Sequence, residues 1–273
     1  MAEDGRQSVL RFEDVSLHFG ETPALVDLSF EILAGQTRII LGGAGSGKTT
    51  LLKVSLGLLK PDSGRVFLFG QDITGMDEAD LFDVRARVGV LFQEGGLFDS
   101  LTIEENVAYP LLNQRLLHVP PAEARPRVEE ALQFVELEHT LEKLPSELSG
   151  GMRRRVGIAR AVVTGPPLVL YDSPTAGLDP ITACTIISLI VKERDLRNTT
   201  TVIATHRYQD GTWLDNFRYN SRSGRLEPAH NNGEPAESGT EFMVLREGRL
   251  VFEGNRAGLE ASPDPYVAMF VKR

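Results

Sequence analysis

The chain of 273 residues has a single cysteine, Cys184, so no disulfide forms within it and a reducing compartment suits it. It has no apolar run near the roughly 20 residues that span a bilayer. It has no excess of positive charge: 29 Lys and Arg stand against 38 Asp and Glu, a formal net charge of −9. That balance excludes a nucleic-acid partner held by bulk electrostatics and direct adhesion to anionic lipid. A membrane role would therefore run through a protein partner. The opening Met1-Ala2-Glu3-Asp4-Gly5-Arg6-Gln7 is polar and mixed in charge, unlike a signal peptide. These absences predict a soluble, cytoplasmic protein. What is present is enough to build a core: 41% of the residues are hydrophobic, and the length suits one large domain or a core with a subdomain.

The most specific feature is Gly42-Gly43-Ala44-Gly45-Ser46-Gly47-Lys48-Thr49, followed by Thr50. It matches G-x-x-x-x-G-K-[ST] at every required position. The apolar run 38–41 before it reads as a buried strand, and residues 48–59 read as a helix stopped by Pro61. Strand, loop and helix are the context the motif needs. Glycines let backbone N–H groups converge on phosphate oxygens at the positive end of the helix dipole. Lys48 would reach the outer phosphates, and the Thr49 hydroxyl would join a Mg²⁺ shell. The alternative is a Gly-rich turn with a chance Lys-Thr, which the flanking pattern disfavours.

Residues 9–32 alternate and carry strand formers, with turns at 19–23 and at Ala34-Gly35, and predict an antiparallel β layer. A turn at 61–64 leads to a short strand, 65–69, and residues 88–93 form another apolar strand. From about 102 to 164 the pattern turns helical; Val128, Ala131, Leu132 and Val135 recur at helical spacing after Pro120-Pro121. Strands at 168–171 and 201–204 flank a helix over 181–193. Strands alternating with helices predict a mostly parallel sheet covered on both faces. Residues 209–240, rich in Asn, Ser, Gly, Glu and Pro, break that order and read as a solvated surface insertion rather than a partner-binding element. A hairpin is expected there, with 217–219 and 225–227 about the turn 221–224, and a second at 242–245 and 249–252. His18, His118, His139 and His230 carry no pattern and read as structural or solvated.

Further along stands Leu148-Ser149-Gly150-Gly151-Met152-Arg153. With this second motif the chain resembles the ATP-binding subunits of ABC transporters, whose signature is L-S-G-G-x. The resemblance covers nearly the whole chain outside 209–240. Gln93, at a strand end, resembles the Q-loop glutamine. Asp172, closing Leu168-Val169-Leu170-Tyr171, resembles the Walker B aspartate. Ala176-Gly177-Leu178-Asp179 resembles the D-loop, His206 the switch histidine, and Phe19 takes the place of the aromatic that stacks on adenine.

The resemblance implies an α/β fold: a P-loop NTPase (RecA-like) core with an antiparallel β layer and a helical subdomain of the ABC type. The whole of 1–273 would be one nucleotide-binding domain, with about 1–93 and 165–273 as core and β layer, about 94–164 as helical subdomain and 209–240 as polar insertion. It implies ATP and Mg²⁺ as cofactors. ATP would meet Phe19, Gly42, Gly43, Ala44, Gly45, Ser46, Gly47, Lys48, Thr49 and Thr50 of one subunit, and Ser149, Gly150 and Gly151 of a second in a head-to-tail homodimer. Thr49, Gln93 and Asp172 would serve the metal, since hard cations prefer oxygen ligands. Catalysis would rest on Lys48, Gln93, Asp172, His206 and the position held by Ser173. The implied partners are a second ATP-binding subunit, an integral-membrane permease docked near 93–99, and accessory and substrate-binding subunits, which would place the chain at the cytoplasmic side of the inner membrane. Arg153, Arg154 and Arg155 read either as a solvated face or as anchors of phosphate or of the dimer seam. The stretch Leu91-Phe92-Gln93-Glu94-Gly95-Gly96-Leu97-Phe98-Asp99, continuing to Leu111, looks like the segment after the Q-loop in Mla/Mce-type (MlaF-like) lipid-transport ATPases. Met152 with its basic followers and Thr175-Ala176-Gly177-Leu178-Asp179-Pro180 agree. That subgroup implies a phospholipid or other hydrophobic cargo moved between bacterial membranes.

One position departs from the family. The residue after Asp172 is normally glutamate, taken to orient or deprotonate the attacking water; here it is Ser173. Serine is too short and neutral to act as an effective base, and losing a general base costs about 10²–10⁴-fold in rate. Either another group positions water, or the subunit is a slow ATPase that serves as a regulatory or structural module, or the residue has been substituted. Glu193 and Glu241 lie too far along the chain to be placed at the site by sequence.

Overall fold

In the computed structural model, residues 6–93, 95–114, 119–229 and 239–272 are described. The first residues of the chain, Glu94, His118 and the polar run from His230 to Ser238 lie outside the described residues.

Strands β1 (Ser8–Phe19) and β2 (Thr22–Leu33) pair antiparallel, with Phe12 opposite Phe30. Their rings stack at 4.6 Å between centroids, a cross-strand pair of the kind that pins register. β3 (Thr37–Gly42) is buried along its whole length, as a near-continuous apolar run in a parallel sheet demands. α1 (Lys48–Ser55) follows the glycine-rich loop but stops short of the expected Leu59. Gly57 is the reason. It turns at a φ of 63°, and an added Cβ would sit 2.7 Å from Leu81 Cδ2, so the chain leaves the helix in a conformation only glycine takes easily.

β4 (Ser63–Leu68) and the two-residue β5 (Gln71–Asp72) complete a four-stranded antiparallel layer ordered β2-β1-β4-β5. The sequence did not suggest α2 (Glu78–Arg85), capped by the Asp77 carboxylate on Asp80 N. Only Leu81 and Val84 of it are buried, too few for a legible stripe. β6 (Val88–Leu91) ends before Gln93.

The helical part holds α3 (Ile103–Asn113), α4 (Pro121–Phe134) and α5 (Gly150–Val162). A capping box between Thr102 and Glu105 starts α3. Val128, Ala131, Leu132 and Val135 are all buried, as their spacing predicts. β7 (Leu168–Asp172), α6 (Pro180–Arg197) and β8 (Thr200–Thr205) then return to the sheet.

The expected insertion at 209–240 is core at both ends. α7 (Tyr208–Asn216) contains fully buried Leu214 and nearly buried Asp210. Its polar composition hid it, because its charged groups are satisfied internally rather than by water. β9 (Phe217–Asn220) and β10 (Arg225–Pro228) form the expected hairpin. Thr240, nearly buried, opens β11 (Thr240–Arg246), which pairs parallel with β3 and antiparallel with β12 (Arg249–Gly254). The large sheet is ordered β12-β11-β3-β8-β7-β6. The chain closes with α8 (Arg256–Glu260) and α9 (Pro265–Val271).

Successive side chains of a strand point to opposite faces. Ile39 and Leu41 of β3 therefore join one core with α3 to α6, while Ile40 joins the other with α1 and the antiparallel layer. Arg38, 2% exposed, ties the sheet edge together: its guanidinium reaches Glu253 at 2.6 Å, Glu241 at 2.8 Å and Glu31 O at 2.9 Å. Glu241 is thus a structural partner, and Glu193, buried on α6, lines none of the cavities described below. Neither supplies the carboxylate absent at Ser173.

Candidate functional site

The sheet brings the ends of β3, β8 and β7 side by side, and ligands of open α/β sheets gather at such carboxyl ends. The loop from β3 to α1 wraps there. Gly47 has a φ of 101°, and an added Cβ would meet Ala24 O at 2.6 Å, so both conformation and space require glycine. Lys48 Nζ donates to Gly42 O and Gly43 O at 2.8 Å each, and to Ser46 Oγ at 3.3 Å. Burial holds its ammonium below the ordinary range, while the Asp172 charge pulls it back up.

Across the top of β8, Thr49 Oγ1 donates to Asp172 Oδ2 at 2.8 Å. Ser173 Oγ donates to Asp172 Oδ1 at 3.2 Å. Asp172 is nearly buried, so one carboxylate is bracketed by two hydroxyls. Among the described residues no three His, Cys, Asp or Glu side chains cluster as a protein-only metal cage. One carboxylate, one hydroxyl and a nearby amide fit the demand of Mg²⁺, which keeps waters and takes substrate phosphates.

A cavity of about 660 Å³ opens over this floor. Gly43, Ala44, Gly45, Lys48, Thr49, Gln93, Ser173 and His206 line it. Its volume falls among ordinary ligand sites of roughly 300–1,000 Å³. Gly42, Ser46, Gly47 and Thr50 belong to the same loop and helix start but do not line it. Phe19 stands at the end of β1, 54% exposed and outside the cavity wall. Ser149, Gly150 and Gly151 line a different cavity, of about 510 Å³, with Gly177, Leu178 and Asp179. Ser149 caps α5 by accepting from Met152 N at 3.3 Å, which leaves the first N–H groups of that helix at an open surface.

Several site features escape a reading of the sequence. Tyr266, Met269 and Phe270 of α9 form one wall of the first cavity. The Tyr266 hydroxyl accepts from Gly43 N at 3.1 Å and donates to Leu245 O at 3.2 Å. Only the Asp264-Pro265 start signal hinted at a helix there. The arginine triplet is tied to backbone carbonyls rather than spread over a solvated face, and Arg155 also lines the cavity of Ser149, Gly150 and Gly151. Arg153 bonds Leu148 O and Arg155 bonds Val135 O. Arg154, nearly buried, donates to Ser173 O and Pro174 O at 2.8 Å each and to Ala176 O at 3.3 Å. It over-determines the loop after β7, where Ser173 sits at a φ of 51°, a costly region for a side-chain-bearing residue. Of the unassigned histidines, His18 pairs with Asp62 at 3.0 Å on the surface.

The ABC transporter family profile matches residues 25–176. A methionine import ATP-binding protein, MetN of Mesorhizobium japonicum, is 38% identical over 206 residues, 76% of this chain and 56% of its own length. The chain thus spans little more than half of that relative. The intermembrane phospholipid transport system ATP-binding protein MlaF of Haemophilus influenzae is 34% identical over 266 residues, 97% of this chain and 91% of its own. The dimeric ATP-binding cassette MJ0796, solved in a post-hydrolysis state bound to ADP and Pi, matches with a TM-score of 0.74 at 29% identity, over 90% of this chain and 98% of that one. The chain belongs to the ABC transporter family, and its fold is that of the ATP-binding cassette. Within the family it is similar to MlaF along nearly its full length.

Proposed function

We propose that this chain is the ATP-binding and ATP-hydrolysing motor subunit of a transporter that moves phospholipid or another hydrophobic cargo between bacterial membranes. The observation that carries the reading is the convergence of Lys48, Thr49, Gln93, Ser173 and His206 on one cavity above Asp172. In this reading Lys48 turns from its backbone carbonyls to the β- and γ-phosphates of ATP, and Phe19 offers its exposed ring to adenine. Thr49, Asp172 and Gln93 hold Mg²⁺, which neutralises charge on the transferring phosphoryl group. His206 meets the γ-phosphate or the attacking water. Residues 94–164 act as the helical subdomain, carrying Ser149 to Gly151 to a second copy's nucleotide.

The permease reading rests on a groove beside Gln93. Phe92, Phe98 and Tyr109 are 38%, 42% and 42% exposed and line a cavity of about 290 Å³ with Arg160. Exposed apolar surface of this kind suits a docked helix. No helix among the described residues is long and apolar enough to cross a membrane, so attachment to the inner membrane would run through that partner. Phospholipid is favoured over methionine because the MlaF match spans both chains and the MetN match does not.

A second reading, an ATP-gated module that scarcely hydrolyses, is favoured by one observation: the Ser173 hydroxyl is committed to Asp172, and among the described residues no Asp or Glu side chain lines the cavity. The primary test is calorimetry with Mg-ATP on wild type and Lys48→Ala. The variant is expected to lose at least about tenfold in affinity while its circular dichroism is unchanged, since a buried charge-assisted contact is worth a few kcal/mol. Equal affinities would sink the site assignment. For cargo, ATP turnover of the membrane-extracted assembly should rise with phospholipid and not with methionine; the reverse would reassign it.

A further inference from the structure

Asp210, the third residue of α7, is 3% exposed and satisfies three neighbours with one carboxylate. Its Oδ2 accepts from Thr175 Oγ1 at 2.6 Å and from Thr205 Oγ1 at 2.8 Å. Its Oδ1 lies 3.6 Å from Arg207 Nε. Thr205 Oγ1 in turn accepts from Arg207 N at 3.1 Å, and Asp210 N donates to Arg207 O at 3.2 Å. Thr205 and Arg207 flank His206, so the histidine is the apex of a turn pinned on both sides. Thr175 belongs to the loop that follows Asp172 and Ser173, whose carbonyls Arg154 clamps from the other side. The carboxylate therefore stitches the His206 turn to the loop carrying Ser173, and both His206 and Ser173 face the same cavity.

We propose that Asp210 is the positioning residue for His206, and that its grip on Thr175, Thr205 and Arg207 sets how well the cavity distinguishes ATP from ADP. Burial pushes its carboxyl up, whereas both threonine hydroxyls and Arg207 favour the charged form. Networks of this kind are stiff only when every member is satisfied. An asparagine in its place has one acceptor oxygen. Keeping both hydroxyls on that oxygen would turn the amide N–H groups toward Arg207, donor against donor. The turn would then have two arrangements where the wild type has one, and a γ-phosphate contact made from its apex would weaken. ADP, which lacks that phosphate, would not notice.

The inference rests on the ATP site proposed above, and the experiment separates the two. Dissociation constants for Mg-ATPγS and Mg-ADP are measured by calorimetry on the full chain as wild type, Asp210→Asn, His206→Ala and the double variant. Asp210→Asn is expected to reduce the preference for ATPγS over ADP by about fivefold or more, the low end of a site coupling, and to leave ADP affinity within about twofold. His206→Ala is expected to cause at least as large a reduction, and adding Asp210→Asn to it nothing further. A merely structural carboxylate would weaken both nucleotides together and would add its cost in the His206→Ala background; either result overturns the proposal. So does a silent Asp210→Asn, or a wild type that binds both nucleotides equally well. If Asp210→Asn does not fold, Thr205→Val and Thr175→Val each remove one donor and should lower the same ratio, without further loss in His206→Ala. A wild type that binds neither nucleotide defeats the site reading itself.

Discussion

At the residue scale the decisive position is Ser173. Its backbone is fixed three ways: Ser173 N donates to Ala204 O at 2.8 Å, Arg154 holds its carbonyl at 2.8 Å, and its φ is 51°. A longer side chain there would keep this frame and reach into the cavity that Lys48 and His206 share. Ser173→Glu should therefore raise steady-state ATPase by at least about tenfold, within the range assigned to a positioned base. The assay is run with the proposed membrane partner present. If the native protein already turns over at roughly 1 s⁻¹, an ordinary enzyme rate, the slow-ATPase reading fails, and Gln93 and His206 become the groups to mutate. The serine was legible in the sequence because it interrupts a contiguous motif. Its hydrogen bond to Asp172 and its clamp by Arg154 were not, since a motif gives residue order and no side-chain geometry.

At the scale of elements, the sequence revealed those whose pattern is local. β3, β7 and β8 are short apolar runs at the right distance from glycine-rich or acidic punctuation, and α4 has four buried positions at helical spacing. α7 and α9 were hidden because their place depends on contacts far along the chain. Tyr266 meets Gly43 across 223 residues, and Asp210 meets Thr175 across 35. α6 carries a further consequence of burial. Glu193, 1% exposed, makes no hydrogen bond of good geometry through either carboxylate oxygen; its neighbours are the Thr199 hydroxyl and Arg197, whose Nε comes only to 3.6 Å. Burial pushes its carboxyl up to about 7, with the Arg197 charge and the Thr199 hydroxyl opposing. The folded protein then keeps this proton over a range where the unfolded chain has released it. Stability is full below about pH 4.5 and is lost as pH rises through about 7, by about 3 kcal/mol in all. Glu193→Gln cannot ionise. Urea midpoints should show the variant gaining on wild type between pH 5 and pH 8; parallel pH dependence in the two proteins would refute the assignment.

At the scale of the whole molecule, one chain carries two cavities that share no lining residue, and in the proposed function they are unlike halves of one nucleotide site. The phosphate loop, Ser173 and His206 surround one cavity; Ser149, Gly150 and Gly151 open onto another. A helix N-terminus with free N–H groups is a phosphate site in waiting, and a two-fold head-to-tail pair would set each chain's signature on its partner's loop while closing the assembly. The similar cassette MJ0796 is itself dimeric. Ser149→Arg tests it. The substitution removes the cap on Met152 N, at a cost of about 1 kcal/mol to α5, and places bulk and positive charge where the partner's γ-phosphate would lie. It touches nothing in the phosphate-loop cavity of its own chain. Light scattering with Mg-ATP should therefore show a wild type that dimerises and a variant that remains monomeric, while calorimetry finds the variant's affinity within about threefold of wild type, the change left by roughly 0.6 kcal/mol. A variant that still closes with ATP would mean that the signature is no interface element. A variant that loses ATP binding together with dimerisation would mean that the two cavities act within one chain.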